Sequence, residues 1–429
     1  MRKSKTFCAM PFISTMLNTD GKMRYCCIAS GPTAFARNAD GSPMMVGKNS
    51  VEDAWNSEVF KNARKDMLNG VQVEACKHCY KQESIGLDSF RTRMTAEWRN
   101  RLGPELHNFI NSAKENNYEV KLPPVYLDLR LGNLCNLKCR MCNPFNSSQI
   151  AKEHFSSYEK SEEYKEFWNN NWGPNPTFLK DSDLNFDSNF LWNEIIGLIP
   201  NLSKVYMTGG EPTLINNNYR FMEEIVAAGY QDKIEIFFNI NCTNVTDKFL
   251  SLISKFSNIK INCSLDGYEK VNDYIRSPSK WKKIDENFQK IAQLKNVNLD
   301  VSPVVQTYNV LDCHNMLYYV DSISEKYDRP IGIDYLINDH PFYLDVTILP
   351  QHIREKAALN LESYQGKLLN EPRIKTTIQG IINLMRKEQH QDHETLMKNF
   401  LNYTRMLDKT RNESFKDAIP ELAKELGVE

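Results

Sequence analysis

Neither sign of charge dominates this chain. Its 429 residues carry 53 Lys and Arg against 54 Asp and Glu, a formal net charge of −1. Nucleic-acid-binding domains usually carry a basic excess, so the balance disfavours a nucleic-acid partner. Long apolar runs are also missing. None approaches the roughly 20 residues that cross a bilayer, and no membrane partner is expected. The amino terminus, Met1-Arg2-Lys3-Ser4-Lys5-Thr6-Phe7-Cys8, is basic, but no apolar segment follows, so no secretory signal is expected. Cysteine, by contrast, is plentiful, at 11 residues. In a chain without an export signal this predicts metal binding in place of disulfides, and a cytoplasmic location. The length predicts about two or three domains.

Three of the cysteines stand close together. Cys135-Asn136-Leu137-Lys138-Cys139-Arg140-Met141-Cys142 has a C-x3-C-x2-C spacing and follows the apolar run Val125 to Leu131. Three thiolates on one tight loop hold three corners of a cubane iron–sulfur cluster and leave the fourth iron open. A closed zinc site needs a fourth Cys or His nearby. The nearest downstream candidate, His154, falls outside the loop on a predicted helix. The spacing therefore predicts a reactive cluster with an open position.

Further along, Met207-Thr208-Gly209-Gly210-Glu211-Pro212 follows the short strand candidate Lys204-Val205-Tyr206. Two glycines let the backbone pass close to a ligand without a Cβ in the way, and Glu211 offers a carboxylate at a strand's carboxyl end, where barrel enzymes place their chemistry. Ile234 to Asn241 alternates in polarity and ends at Thr243-Asn244. Ile259 to Leu265 sets Asn262, Ser264 and Asp266 on one face, and Arg276 follows twelve residues after Ser264. Polar residues in line on an internal strand need partners. Six strand candidates, near 125–131, 204–208, 234–241, 259–265, 298–305 and 331–337, alternate with helical stretches, which predicts a parallel α/β sheet.

On these residues the chain resembles the radical S-adenosylmethionine (SAM) superfamily. Met141 and Val245 depart from the aromatic residue and the glycine common there. The resemblance covers about 120–345 and implies a partial (β/α)6 TIM-type barrel. It also implies that a [4Fe–4S] cluster on Cys135, Cys139 and Cys142 binds SAM and cleaves it to a 5′-deoxyadenosyl radical. By the same resemblance Gly209, Gly210, Glu211, Ser264 and Arg276 orient SAM, with Thr243, Asn244 and Asp266 as further candidates. An electron donor such as flavodoxin or ferredoxin is implied as a partner.

The first 110 residues carry a second cysteine set: Cys8, Cys26, Cys27, Cys76 and Cys79. Asp20-Gly21 is a hairpin-turn signal that would bring Cys8 and Cys26 together at the open end, and Cys76-Lys77-His78-Cys79 is a C-x2-C knuckle. Four such thiolates suit zinc or a cubane cluster. Neighbouring strand residues point to opposite faces, so one of Cys26 and Cys27 should be unbound. The spacing resembles the first half of the SPASM motif, whose short form, the twitch domain, binds one auxiliary [4Fe–4S] cluster. That resemblance implies Cys8, Cys26, Cys76 and Cys79 as ligands, on a hairpin-plus-helix domain that here precedes the barrel. The second half of the SPASM cysteine set is missing.

The expected organisation is a twitch-like domain over 1–110, the barrel over 120–345 and a helical carboxyl-terminal extension over 346–429. Ile374, Ile378, Ile381, Ile382 and Met385 form a helical stripe in the last, read as packing residues. The insertion near 150–189, with Trp168-Asn169-Asn170-Asn171-Trp172-Gly173-Pro174-Asn175-Pro176, is either a substrate lid or a packed surface segment. Cys242, Cys263, Cys313, His314 and His340 are isolated and read as structural. The function expected is oxidative modification of a small molecule, a sugar, a peptide or a protein side chain. A non-catalytic iron–sulfur scaffold and an RNA-modifying enzyme are the alternatives. No residue is assigned to proton transfer.

Overall fold

The structure, a computed structural model, describes residues 5–84, 88–172, 186–338 and 340–428. The chain divides into two compact units. The first contains Met1–Asn133, Ser182–Phe238 and Lys255–Asn258, and the second contains Leu134–Asp181, Asn239–Ser254 and Ile259–Glu429. Among the described residues no helix is long and apolar enough to cross a membrane. Gly173, Pro174, Asn175 and Pro176 of the insertion lie outside the described residues.

In the first unit the predicted hairpin forms from β1 (Ser14–Leu17) and β2 (Met23–Arg24), paired antiparallel with Leu17 opposite Met23. Its turn closes through the Gly21 amide on the Asn18 carbonyl, with Gly21 at φ +75°, a left-handed conformation that glycine adopts without steric cost. β1 also pairs parallel with β3 (Tyr126–Leu129), so the hairpin extends the main sheet. β4 (Lys204–Met207) and β5 (Glu235–Ile240) follow, giving the order β2-β1-β3-β4-β5. Alternation sorts the faces: Leu127 and Leu129 are buried as core, while Asp128 pairs with Arg130 on the other side at 3.1 Å. Arg64, on the helix Glu58–Leu68, is fully buried and donates to the carbonyls of Pro11, Trp55 and Tyr118. It thereby ties the segment before β1 to its helical layer.

In the second unit β6 (Ile259–Cys263), β7 (Val297–Val301) and β9 (Gly332–Ile333) run parallel in that order. The amphipathic helix Trp281–Ala292 joins β6 to β7 and buries Ile284, Phe288 and Ile291. The fifth predicted strand is broken: β8 (Val304–Val305) is separate from β7 and pairs with β10 (Leu336–Ile337). Pro303 lies at the break and has no amide proton to donate to a ladder. All six predicted strand positions are occupied, and the alternation of parallel strands with helices is the α/β arrangement expected. Helices Gln351–Glu362, Pro372–Met385 and His393–Arg411 make the carboxyl-terminal region helical. The stripe Ile374, Ile378, Ile381, Ile382 and Met385 is buried as packing.

Candidate cofactor and iron–sulfur sites

Cys8, Cys26, Cys76 and Cys79 line one cavity in the first unit, together with Pro11, Tyr25 and Arg91. They arrive from three places: the segment before β1, the end of β2, and the turn Glu74–Cys76 leading into the helix Lys77–Ser84. The cavity is poor in water-accessible polar groups, and burial pushes the Cys8 thiol up to about 12, with Cys76 and Cys79 adding repulsion. Burial likewise raises Cys76 to about 11, with Cys79 again adding repulsion. Thiols that repel one another in this way are close neighbours, and a shared cation would relieve the repulsion. Cys27 is not part of this lining. Its thiol contacts Cys26 and feels the charges of Asp128 and Arg130.

No group of three or more His, Cys, Asp or Glu among the described residues converges on a point suited to one metal ion. A zinc ion would draw its thiolates to about 2.3 Å, whereas a cubane takes them at the corners of a larger body. A donor set made only of thiols around one cavity fits a cubane cluster, as it would zinc.

The second unit holds Cys135, Cys139 and Cys142. Backbone bonds fasten their loop to one segment: the Lys138 amide donates to the Ser277 carbonyl and the Arg140 amide to the Ile275 carbonyl. The Cys135 amide donates to Ser148 Oγ at 3.2 Å. Asn136 Nδ2 donates to Thr243 Oγ1 and Asn241 Nδ2 to Asn136 Oδ1, so Thr243 braces the loop. Burial raises the Cys142 thiol to about 12, with Cys139 and Cys135 adding repulsion, so the three sulfurs are neighbours. Arg276 Nη1 lies 3.7 Å from Cys139 Sγ, and its Nε pairs with Asp266 at 2.7 Å. Burial raises the Asp266 carboxyl, against the pull of Arg276. His154 is buried on the helix Ser148–Lys160, 3.3 Å from the Tyr164 hydroxyl, and its ring lies 3.9 Å from that of Trp168.

Gly209, Gly210 and Glu211 lie in the first unit; Thr243, Asn244, Ser264, Asp266 and Arg276 lie in the second. The reason for Gly209 is local. A Cβ there would stand 2.7 Å from the Gly132 carbonyl oxygen, and the Gly210 amide donates to that same oxygen at 3.2 Å. The close approach is thus to the chain's own β3 loop. Glu211 is buried and accepts from the Thr213 amide and hydroxyl at 3.1 and 2.6 Å. The Ser264 amide donates to the Ile240 carbonyl. Nearby in sequence, Asn239 Oδ1 and Asn262 Oδ1 are buried without a hydrogen-bond partner among the described residues, as is Gln306 Oε1. Buried acceptors are normally paired, and a ligand bearing N–H and O–H groups would pair them.

The model of the "Radical SAM superfamily" matches residues 186–317, and that of an "Iron-sulfur cluster-binding domain" (SPASM) matches residues 8–80. The chain carries a radical SAM domain. Ahead of it in sequence lies a SPASM-type iron–sulfur domain. Domains of these kinds bind iron–sulfur clusters, and the radical SAM domain also binds SAM. The first match begins downstream of the three-cysteine loop, so the reading of that loop rests on its own spacing and surroundings. Among solved structures, native anSMEcpe with bound AdoMet is 15% identical over 55% of this chain and 58% of that one, at a TM-score of 0.35. Streptococcus suis SuiB is 12% identical over 87% of this chain and 68% of that one, at 0.37. SuiB bound to its precursor peptide SuiA gives 12% over 88% and 71%, at 0.36. The chain thus spans under two thirds of the length of anSMEcpe, and likeness at this level fixes neither substrate nor reaction. No curated protein matches the chain.

The carboxyl-terminal helix was missed by sequence reasoning as a part of the cysteine site. Arg140, buried between the second and third cysteines of the loop, donates from Nη2 to Asp408 and Glu413, both at 2.6 Å. Its guanidinium lies 3.6 Å over the Tyr274 ring. Tyr403 donates its hydroxyl to the Arg140 carbonyl, and Arg411 pairs with Glu153, which also accepts from Lys138. A signal existed in the acidic pair Asp408 and Glu413 beside an apolar stripe, but nothing in the spacing named the partner.

Proposed function

We propose that this chain is a radical SAM enzyme that reductively cleaves SAM and oxidatively modifies a metabolite, a sugar, or a peptide or protein side chain. The observation carrying this reading is the loop of three neighbouring thiols, braced on every side and facing Arg276, in a chain that also gathers four thiols around a separate cavity. Cys135, Cys139 and Cys142 would hold a cluster whose chemistry, when bound, would be one-electron reductive cleavage of SAM for abstraction of a substrate hydrogen. Cys8, Cys26, Cys76 and Cys79 are assigned to one auxiliary cluster, suited to accept the electron left after that abstraction.

The protein's own groups have definite tasks in this reading. Asp266 holds Arg276 in place, and Arg276 keeps positive charge against the Cys139 sulfur. Asn241, Asn136 and Thr243 fix the loop's register. Asn262 and Gln306 offer unpaired acceptors to bound SAM, with Ser264 one residue past the end of the strand that carries Asn262. Glu211 is assigned the SAM ammonium from its Gly-Gly-Glu context, which requires its carboxylate to turn from Thr213. Gly209 and Gly210 shape the turn that presents Glu211. Asn244 remains a candidate from sequence position. A flavodoxin or ferredoxin is the proposed donor, and the cytoplasm the proposed compartment.

Anaerobically reconstituted protein with SAM and strong reductant tests the proposal. The expected product is 5′-deoxyadenosine. Protein with its three-cysteine cluster loaded that makes none is a scaffold, and the enzyme reading fails.

A further inference from the structure

Arg411 is nearly buried, with 3% of its side chain exposed. Its Nε and Nη2 bind the Glu153 carboxylate, whereas Nη1 has no hydrogen-bond partner among the described residues. A buried guanidinium N–H left unpaired is costly, so its surroundings matter. Arg411 lines a cavity with Cys139, Cys142, Ile150, Tyr164, Trp168 and Tyr403, all within the second unit. Two of the three loop cysteines therefore share a cavity with Arg411.

We propose that Arg411, on the carboxyl-terminal helix, is a positioning residue that tunes the SAM-binding cluster. Arg411 lines the same cavity as two of the assigned ligands, Cys139 and Cys142, and its charge would stabilise the more negative, reduced state. The inference rests on the reading of Cys135, Cys139 and Cys142 as cluster ligands. The charges around the cavity make the sign definite. Burial works to raise the Glu153 carboxyl, yet Arg411 and Lys138 hold it below its ordinary range, so it stays anionic and keeps Arg411 fixed. Arg276, with its partner Asp266, stands at the Cys139 sulfur, and Arg411 lines the cavity that Cys139 borders. One electron, taken from an external chemical reductant, reduces the cluster, and the cationic side chains oppose the added negative charge without reacting.

Redox titration of the full chain, followed by the paramagnetic signal that responds to added SAM, tests this. Arg411→Gln should lower the reduced-to-oxidised ratio at a fixed potential about tenfold, a downward shift of ~59 mV for a one-electron couple. Glu153→Gln should shift it upward by several-fold, because it removes a neighbouring negative charge. Damage to the loop alone would move both variants in one direction. An unmoved potential in Arg411→Gln, or shifts of the same sign in both, overturns the inference. Should Arg411→Gln fail to load, Arg411→Lys and Glu153→Gln decide: a near wild-type potential in the first with an upward shift in the second supports it, and any other pair overturns it. Wild-type protein with no SAM-responsive signal overturns the cluster reading itself, and this inference with it.

Discussion

Cys8, Cys26, Cys76 and Cys79 reach one cavity from three separate parts of the chain, whereas Cys135, Cys139 and Cys142 sit within a single eight-residue loop. In the first case the fold of the unit makes the site: β1, β2 and the knuckle helix must all be in place before four thiols meet. In the second the ligands come together by local sequence, and the fold holds them still. Asn136, Lys138 and Arg140, three of the five residues between the cysteines, are tied respectively to Asn241 and Thr243, to Glu153, and to Asp408 and Glu413. Four ligands close a cluster; three leave an iron for chemistry. A closed site needs assembly, and an open one needs rigidity, since its loose corner must meet a ligand.

The harshest way to break this comparison is to remove ligands from each side. Cys135, Cys139 and Cys142 changed together to Ala should abolish 5′-deoxyadenosine formation, since no thiolate remains. Cys76→Ala should cost the auxiliary cluster and the oxidised product while leaving uncoupled SAM cleavage measurable. Iron analysis should read about eight irons per chain in the wild type and about four in each variant. Four irons with one zinc in the wild type would give the first cavity to zinc. Loss of SAM cleavage in Cys76→Ala would show that the two sites depend on one another.

The brace comes next in size. Arg140 is buried with two carboxylates on one nitrogen. Removing one partner of a buried ion pair costs about 3 kcal/mol, and here two anions would be left facing each other. Arg140→Ala should therefore lower the unfolding midpoint clearly and reduce retention of the open cluster, while the four-cysteine cavity keeps its iron. Unchanged thermal stability would mean that the loop holds its own shape.

The loop was legible in sequence because ligands, spacing and strand are contiguous. The brace was not, because Arg140 and Asp408 are 268 residues apart and each reads singly as a surface charge. The six strand positions were legible in the sequence, but the fifth was read as one strand over 298–305 and the structure breaks it at Pro303, which has no amide proton to donate. Gly209 was read as leaving room for a ligand, and in the fold the atom that a Cβ there would meet is the Gly132 carbonyl oxygen. Arg276 and Asp266 were each read toward SAM. Only the fold brings them to each other, on the Cys139 sulfur.

A finer test asks which of two adjacent cysteines serves the closed site. Cys26 lines the cavity with the other three, while Cys27 faces Asp128 and Arg130. Cys26→Ala should remove the auxiliary cluster's absorbance, and Cys27→Ala should largely keep it. The reverse result would place the chain after β2 one residue out of register.

The smallest effect expected is a graded one in pH. A thiol must lose its proton to bind iron, so cluster assembly releases protons and strengthens as pH rises. Burial raises Cys8 to about 12 and Cys76 to about 11 in the closed cavity, and Cys142 to about 12 in the open loop. Raised values mean that the apo sites hold their protons throughout neutral pH, so the pH dependence persists well above 7. Cluster retention against a chelator, followed by sulfide-to-iron charge-transfer absorbance, should increase from about pH 7 to pH 9 in both sites. It should rise more steeply in the site with four ligands, which releases more protons than the site with three. Equal slopes for Cys76→Ala protein and for the triple-alanine loop variant would mean that ligand number does not set the proton release. The contrast between a closed and an open site would then rest on geometry alone.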